Sequence, residues 1–264
     1  AIEDHPTPIT NQAWQEVVIS VFDAEKSSSF FTEIAGFEII WHGAEKKEFL
    51  AHLGIENTAS AQSVVLKSPG SKTGYIRLIE FSGVNGQVPT RPGARTWDTG
   101  CFTSIMMRAK GLNSIYNDAI KMDWWTETPI TELKFGTSKL KIVIFKGPQG
   151  IQVEAYERLS PPLPQEFPEF KRLSLPFNIM QTVRNREASR KFFVDQLGFK
   201  NFFNGPPVTA QKEAQMPLGI PLNFTTTSRY QAAILYPEPA ETGRVELVEF
   251  MDLKGEDYYK NCNA

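Results

Sequence analysis

One stretch of this chain occurs twice. Val21, Glu25, Ser27, Phe30, Phe31, Gly36 and Phe37 recur 162 residues later, without a gap, as Val183, Glu187, Ser189, Phe192, Phe193, Gly198 and Phe199. Further on, Gly74, Leu78, Glu80 and Phe81 recur 169 residues later as Gly243, Leu247, Glu249 and Phe250. The second copy therefore holds a loop of about seven extra residues. Self-similarity on this scale means that one supersecondary unit was copied along the chain, and that copies bury their apolar faces against each other.

Each copy reads the same way. An apolar strand, carrying Val17, Val18, Ile19 and Val21 in one copy and Phe177, Ile179 and Met180 in the other, meets a polar turn. A helix follows, with Phe30, Phe31 and Ile34, or Phe192, Phe193 and Leu197, at helical spacing. Asp23 and Asn185 suit the N-cap. Gly36 and Gly198 stand where a left-handed C-cap is expected. A second strand opens with Phe37 or Phe199. A connection follows that is helical in part over 45–53, and strands over 63–67 and 75–81 close the first copy.

A more diverged copy lies between these two. Its first strand is 103–108, its helix 112–120, and its closing hairpin pairs 140–145 with 151–156 around the turn 147–150. Pro-Gln-Gly is good turn chemistry there. The Pro-rich stretch 161–168 predicts an inter-domain linker, and a second connector over 89–93 separates the first two copies. The expected fold is α+β, with domains at 1–160 (modules 14–82 and 101–157) and 173–264, joined by 161–172.

Composition narrows the function classes. The 264 residues carry 28 Lys+Arg against 30 Asp+Glu, a net charge of −2, which offers no whole-chain attraction to nucleic acid or an anionic membrane. No apolar run approaches the roughly 20 residues of a membrane span. The N-terminal residues lack the plan of a signal peptide. Only three histidines are present, all before residue 53, so a site needing several imidazoles from the rest of the chain is excluded. Two cysteines, Cys101 and Cys262, make no disulfide framework and predict a reduced, cytoplasmic protein.

The order strand–helix–strand–strand–strand, repeated, resembles the vicinal oxygen chelate superfamily, which includes glyoxalase I, bleomycin-resistance proteins and extradiol dioxygenases. The 21–37 segment looks like its first strand–helix signature. Gly147, Pro148, Gly150 and Glu154 look like its closing hairpin. The resemblance covers three modules, about 14–157 and 173–252. It implies that modules pair into a cupped sheet around a small-molecule cleft, with the first pair built from modules one and two. It also implies that a fourth module should follow, its place otherwise taken by a partner, such as a second copy docked through exposed sheet faces.

In that superfamily, metal ligands stand on the first and last strands of paired modules. Carried over by position, they fall on Glu16, Arg77, Ser104 and Glu154 in the first pair, and on Asn178 and Glu246 in module three. These are a poor metal shell. Divalent cations take imidazole, carboxylate or thiolate ligands, and Arg77 would place a permanent positive charge beside the ion. The expectation is therefore no cofactor, with a weakly held hard divalent ion such as Mg2+ on the two carboxylates as the alternative. Glu16 and Glu154 are the candidate acid–base residues, and Arg77, Ser104, Asn178 and Glu246 the candidate substrate-binding residues. Arg77 either takes over the electrostatic role of the ion and docks an anionic or carbonyl-bearing ligand, or forms an internal salt bridge or points outward.

Other residues offer less. His42 and His52 read as surface or capping positions, and Cys101 has no histidine near it in sequence. Trp124, Trp125, Phe202 and Phe203 read as core or seam residues before ligand-stacking ones. What remains is a degenerate or metal-independent enzyme of lyase or isomerase type acting on a small carbonyl or aromatic compound. The alternatives are a binding protein of the bleomycin-resistance type and an interaction protein with decayed sites.

Overall fold

A computed structural model describes residues 7–84, 91, 95–214 and 218–260. Most of the connector 89–93, the N-terminal residues 1–6 and Cys262 lie outside the described residues. The first module comprises β1 (Glu16–Val21), α1 (Ala24–Ser29), β2 (Glu38–Ala44), α2 (Lys47–His52), β3 (Ser60–Lys67) and β4 (Tyr75–Ser82). The second comprises β5 (Phe102–Ala109), α3 (Leu112–Lys121), β6 (Thr131–Phe135), β7 (Ser138–Lys146) and β8 (Gln152–Ser160). The third comprises β9 (Leu173–Thr182), α4 (Arg186–Lys191), β10 (Lys200–Asn204), β11 (Tyr230–Tyr236) and β12 (Arg244–Phe250). Helices α1 and α4 both continue in π-helical form, over Phe30–Ala35 and Phe192–Gln196.

The helix ends follow from local chemistry. Asp23 accepts from Lys26 N–H at 2.8 Å, and Asn185 accepts from Ala188 N–H at 2.9 Å. The starts of α1, α3 and α4 each also receive a carboxylate from the last strand of their own module. Glu80 takes Ala24 N–H, Glu157 takes Gly111 and Leu112 N–H, and Glu249 takes Arg186 N–H. A carboxylate is favoured there by the free N–H groups and the positive helix end. Gly198 has φ of 72°, and a Cβ there would fall 2.5 Å from Pro8 Cα, so both conformation and packing demand glycine.

Pairing of the modules differs from expectation. Module one forms a sheet of its own, in the order β1-β4-β3-β2. Modules two and three share one eight-stranded sheet, β10-β11-β12-β9-β5-β8-β7-β6. The seam is the antiparallel pair β5–β9, which runs across the boundary expected at 161–172. Strand edges are chosen by tertiary packing, which the repeat pattern leaves open.

The main core lies between the two sheets. Phe30 and Phe31 of the first helix are fully buried, and Phe30 stacks on Trp124 at 3.8 Å. Burying such side chains contributes on the order of 2–3 kcal/mol each. Val64, Leu66, Ile76 and Leu78 line this core from the small sheet, and Ile105, Met107, Phe145 and Val153 from the large one. The opposite, concave face of the large sheet carries Met106, Phe177, Met180 and Val248, covered by Phe167 and Phe170 from the 161–172 segment and by Leu218 and Ile220. Cys101 is disulfide-bonded, which corrects the expectation of unpaired thiols. Among the described residues, no helix is long and apolar enough to cross a membrane.

Candidate functional site

The six candidate residues fall into two groups. Strand register explains why. On β9 and β12, Met180 pairs with Glu246, and on β5 Met106 stands between Asn178 and Glu154. Ser104, Glu154, Asn178 and Glu246 therefore converge on the concave face at the seam, where three register shifts along β5–β9 adjust the aim of the side chains. Glu16 and Arg77 lie on the separate small sheet. No hydrogen bond or ion pair joins the two groups among the described residues. The shared hollow expected for residues 16, 77, 104 and 154 is thus replaced by one built from modules two and three.

In the seam group, Ser104 Oγ donates to Glu154 Oε1 at 3.1 Å, and Tyr156 Oη donates to Glu154 Oε2 at 2.6 Å. Asn178 Nδ2 donates to Glu246 Oε2 at 2.9 Å. Glu154 is fully buried and Glu246 is 8% exposed. Burial pushes the Glu154 carboxyl up to about 7, against the lowering effect of its two hydroxyl donors. Burial also pushes Glu246 up to about 8, helped by the charge of Glu154 and opposed by Asn178. In so buried a site the charge of Glu154 also raises the cost of ionising Glu246. Tyr156, half-buried beside both, is raised well above the ordinary phenol range by desolvation and the two carboxylates.

In the module-one group, Arg77 Nε and Nη2 hold Glu16 at 2.8 and 3.1 Å, and Nη1 holds Glu45 at 2.6 Å. The guanidinium also lies over Trp41 and Phe49, 5.6 and 4.9 Å from their ring centres. Burial alone would lower its pKa, but the two glutamates outweigh burial and raise it. The internal salt bridge weighed from the sequence is what forms, with Glu45 as the partner not anticipated.

The seam positions do not fit a tightly held divalent ion. They supply two carboxylates, one hydroxyl and one amide. The amide turns its NH2 toward Glu246 while its Oδ1 accepts from Ile179 N–H at 3.0 Å, and both oxygens of Glu154 already accept hydroxyl hydrogens. The Met106 thioether lies 3.0 Å from the amide nitrogen, inside the site. Among the described residues no cluster of three or more His, Cys, Asp or Glu is placed to hold a metal. A cavity of about 580 Å³, walled in part by Arg95, Trp97, Glu127 and Ile220, opens beside the apolar cover of the site.

The remaining sequence candidates are structural or exposed. Trp124 is core, while Trp125 is exposed beside Lys146. Phe203 joins the concave cluster, and His42 and His52 are exposed. Tyr156 was missed, although the alternation Glu154-x-Tyr156 on a strand puts both on one face.

No protein family and no curated protein matches the chain by sequence. Solved structures do match by shape. Glyoxalase I from Zea mays superposes with a TM-score of 0.58 at 16% identity, covering 92% of this chain and 69% of that one. A putative dioxygenase from Bacillus subtilis gives 0.53 at 11%, covering 92% and 65%. The chain has the vicinal oxygen chelate fold. Within it, the seam group stands on the first and last strands of modules two and three.

Proposed function

We propose that this vicinal oxygen chelate protein is a metal-independent enzyme of isomerase or lyase type acting on a small carbonyl or aromatic compound. The observation that supports this reading is the Glu154–Glu246 pair, two buried carboxyls drawn from different modules and raised into the range where one is protonated and the other ionised. Such a pair serves as base and acid together. The ionised carboxylate takes a proton from the carbon beside a carbonyl. The protonated partner gives its proton to the carbonyl oxygen, and an enediol or enol results. Return of the protons at the neighbouring carbon yields an isomer, with no net oxidation. Ser104, Tyr156 and Asn178 position the two carboxyls. Entry is from the cavity beside Trp97 and Ile220, whose side chains belong to the same apolar cover as Met106.

The test is solvent exchange. In D2O, 2-hydroxyacetophenone should gain deuterium at the carbon beside its carbonyl in the presence of the protein. Glu154→Gln should reduce that rate by roughly 10²–10⁴-fold, the usual contribution of a positioned acid or base. A variant as fast as wild type would remove the acid–base role. A second reading, ligand binding without turnover, draws on the aromatic cover of Tyr156, Phe177 and Phe203. Stoichiometric binding with no exchange in any carbonyl compound would favour it.

A further inference from the structure

Four residues beyond Ser104 and Glu154 on their strands, and two before Glu246, stand three arginines: Arg108, Arg158 and Arg244. Arg108 and Arg244 are each 6% exposed, and Arg158 is half-buried. Arg108 is repelled by both Arg158 and Arg244, and Arg244 by Arg158. Stacking orients two of them. Arg108 lies over Phe177 with 4.1 Å to the ring centre, and Arg244 over Phe202 with 3.9 Å. Counter-charge is scarce. Arg244 reaches Glu241 at 3.5 Å and the Ala240 carbonyl at 3.0 Å. Arg108 and Arg158 have no ion pair or side-chain hydrogen bond among the described residues, and the Nε of each is buried without a partner.

We propose that Arg108, Arg158 and Arg244 receive the anionic group, carboxylate or phosphate, of the small molecule that this concave face binds. A buried cation without a counterion is strongly disfavoured, and here Arg108 stands near two further guanidiniums while one carboxylate, Glu241, pairs with Arg244. Burial, with repulsion from Arg158 and Arg244, lowers Arg108 to about 10, against the raising effect of Tyr156 and Glu241. Flat aromatic faces leave the donor edges of the forks free, and planar forks match the oxygens of carboxylate and phosphate. Phe177 links the cluster to the acid pair. It carries Arg108 on its face and meets the Tyr156 ring edge-on at 6.1 Å, and Tyr156 bonds Glu154. A ligand anchored here by its anion would direct its other end toward the carboxyl pair. This deepens the proposed function and rests on it only for that last step.

Titration calorimetry at low ionic strength tests the cluster, with benzoate and inorganic phosphate as separate probes. Wild type should bind at least one of them, and which one tells carboxylate from phosphate. Arg108→Met should weaken that binding about tenfold or more, and Arg158→Gln, at a less buried position, should weaken it in the same direction. Glu154→Gln should bind within about twofold of wild type while losing proton exchange. If neither anion binds wild type, or if both arginine variants bind as wild type does, the proposal is overturned. Anion binding without exchange in any carbonyl compound keeps the cluster and removes only the acid–base reading.

Discussion

Modules one and three put a hydrogen-bonded pair at the same two strand positions and neutralise it by different means. In module one the pair is Glu16 with Arg77, and Glu45 adds a second carboxylate to the guanidinium. In module three it is Asn178 with Glu246, which lies near Glu154 across the seam with no cation among its partners in the described residues. The contact between first and last strand is preserved, and module two repeats it with Ser104 and Glu154. What varies is how charge is handled: a guanidinium pairs two carboxylates in the small sheet, while burial raises the seam carboxyls to about 7 and 8. Under the proposed function, the seam pair is the one that moves protons.

The largest effect should separate these arrangements by rate. Glu246→Gln fixes an uncharged group in place of the proton-sharing partner. Proton exchange into 2-hydroxyacetophenone should fall about 100-fold or more, measured by NMR. A fall confined to KM, with kcat unchanged, would mean that Glu246 binds substrate rather than moving protons.

Stability against pH should separate them next. A carboxyl raised in the folded state binds more protons there than in the unfolded chain. Unfolding free energy therefore falls as pH rises from the ordinary carboxylate range, near 4.5, through about 7 and 8, and levels above. The fall should amount to a few kcal/mol across that window. Glu246→Gln should flatten the alkaline part of the curve in urea titrations. An unchanged slope would place the proton elsewhere. Arg77→Met should act differently, since it leaves Glu16 and Glu45 facing each other without a cation. A loss of about 1–2 kcal/mol is expected, discounted for the partial solvent access of the pair. Glu45→Gln added to it should recover part of that loss.

Much of the architecture was legible because it depends on short-range chemistry. Asp23 and Asn185 cap as their side chains dictate, and Gly36 and Gly198 take left-handed φ of 81° and 72°. Phe30 and Phe31 reach the core that their spacing implied. The site was half legible. Alignment of the copies found Ser104, Glu154, Asn178 and Glu246, but grouped the first two with Glu16 and Arg77. Which module edges join depends on how whole sheets pack, and periodicity carries no trace of that choice. Glu45 and the arginine cluster were missed for a related reason. Their meaning lies in which charges meet across strands far apart in sequence.

The smallest predicted effect concerns the glutamates three residues beyond the last-strand site positions: Glu80, Glu157 and Glu249. Each accepts a helix N-terminal N–H in its own module, but they do not share the task equally. In modules one and three, Asp23 and Asn185 also cap. In module two the cap position is Gly111, which has no side chain to offer, and Glu157 takes two N–H groups at 3.0 and 3.1 Å. Glu157→Ala should therefore cost about 1–2 kcal/mol in urea unfolding, and Glu80→Ala or Glu249→Ala about half as much. Glu157→Gln, which keeps an acceptor oxygen and loses the charge, should fall between wild type and Glu157→Ala. Equal losses at all three positions would mean that Asp23 and Asn185 add nothing beyond the strand carboxylates. Module two would then differ from its neighbours in sequence without differing in how its helix is held.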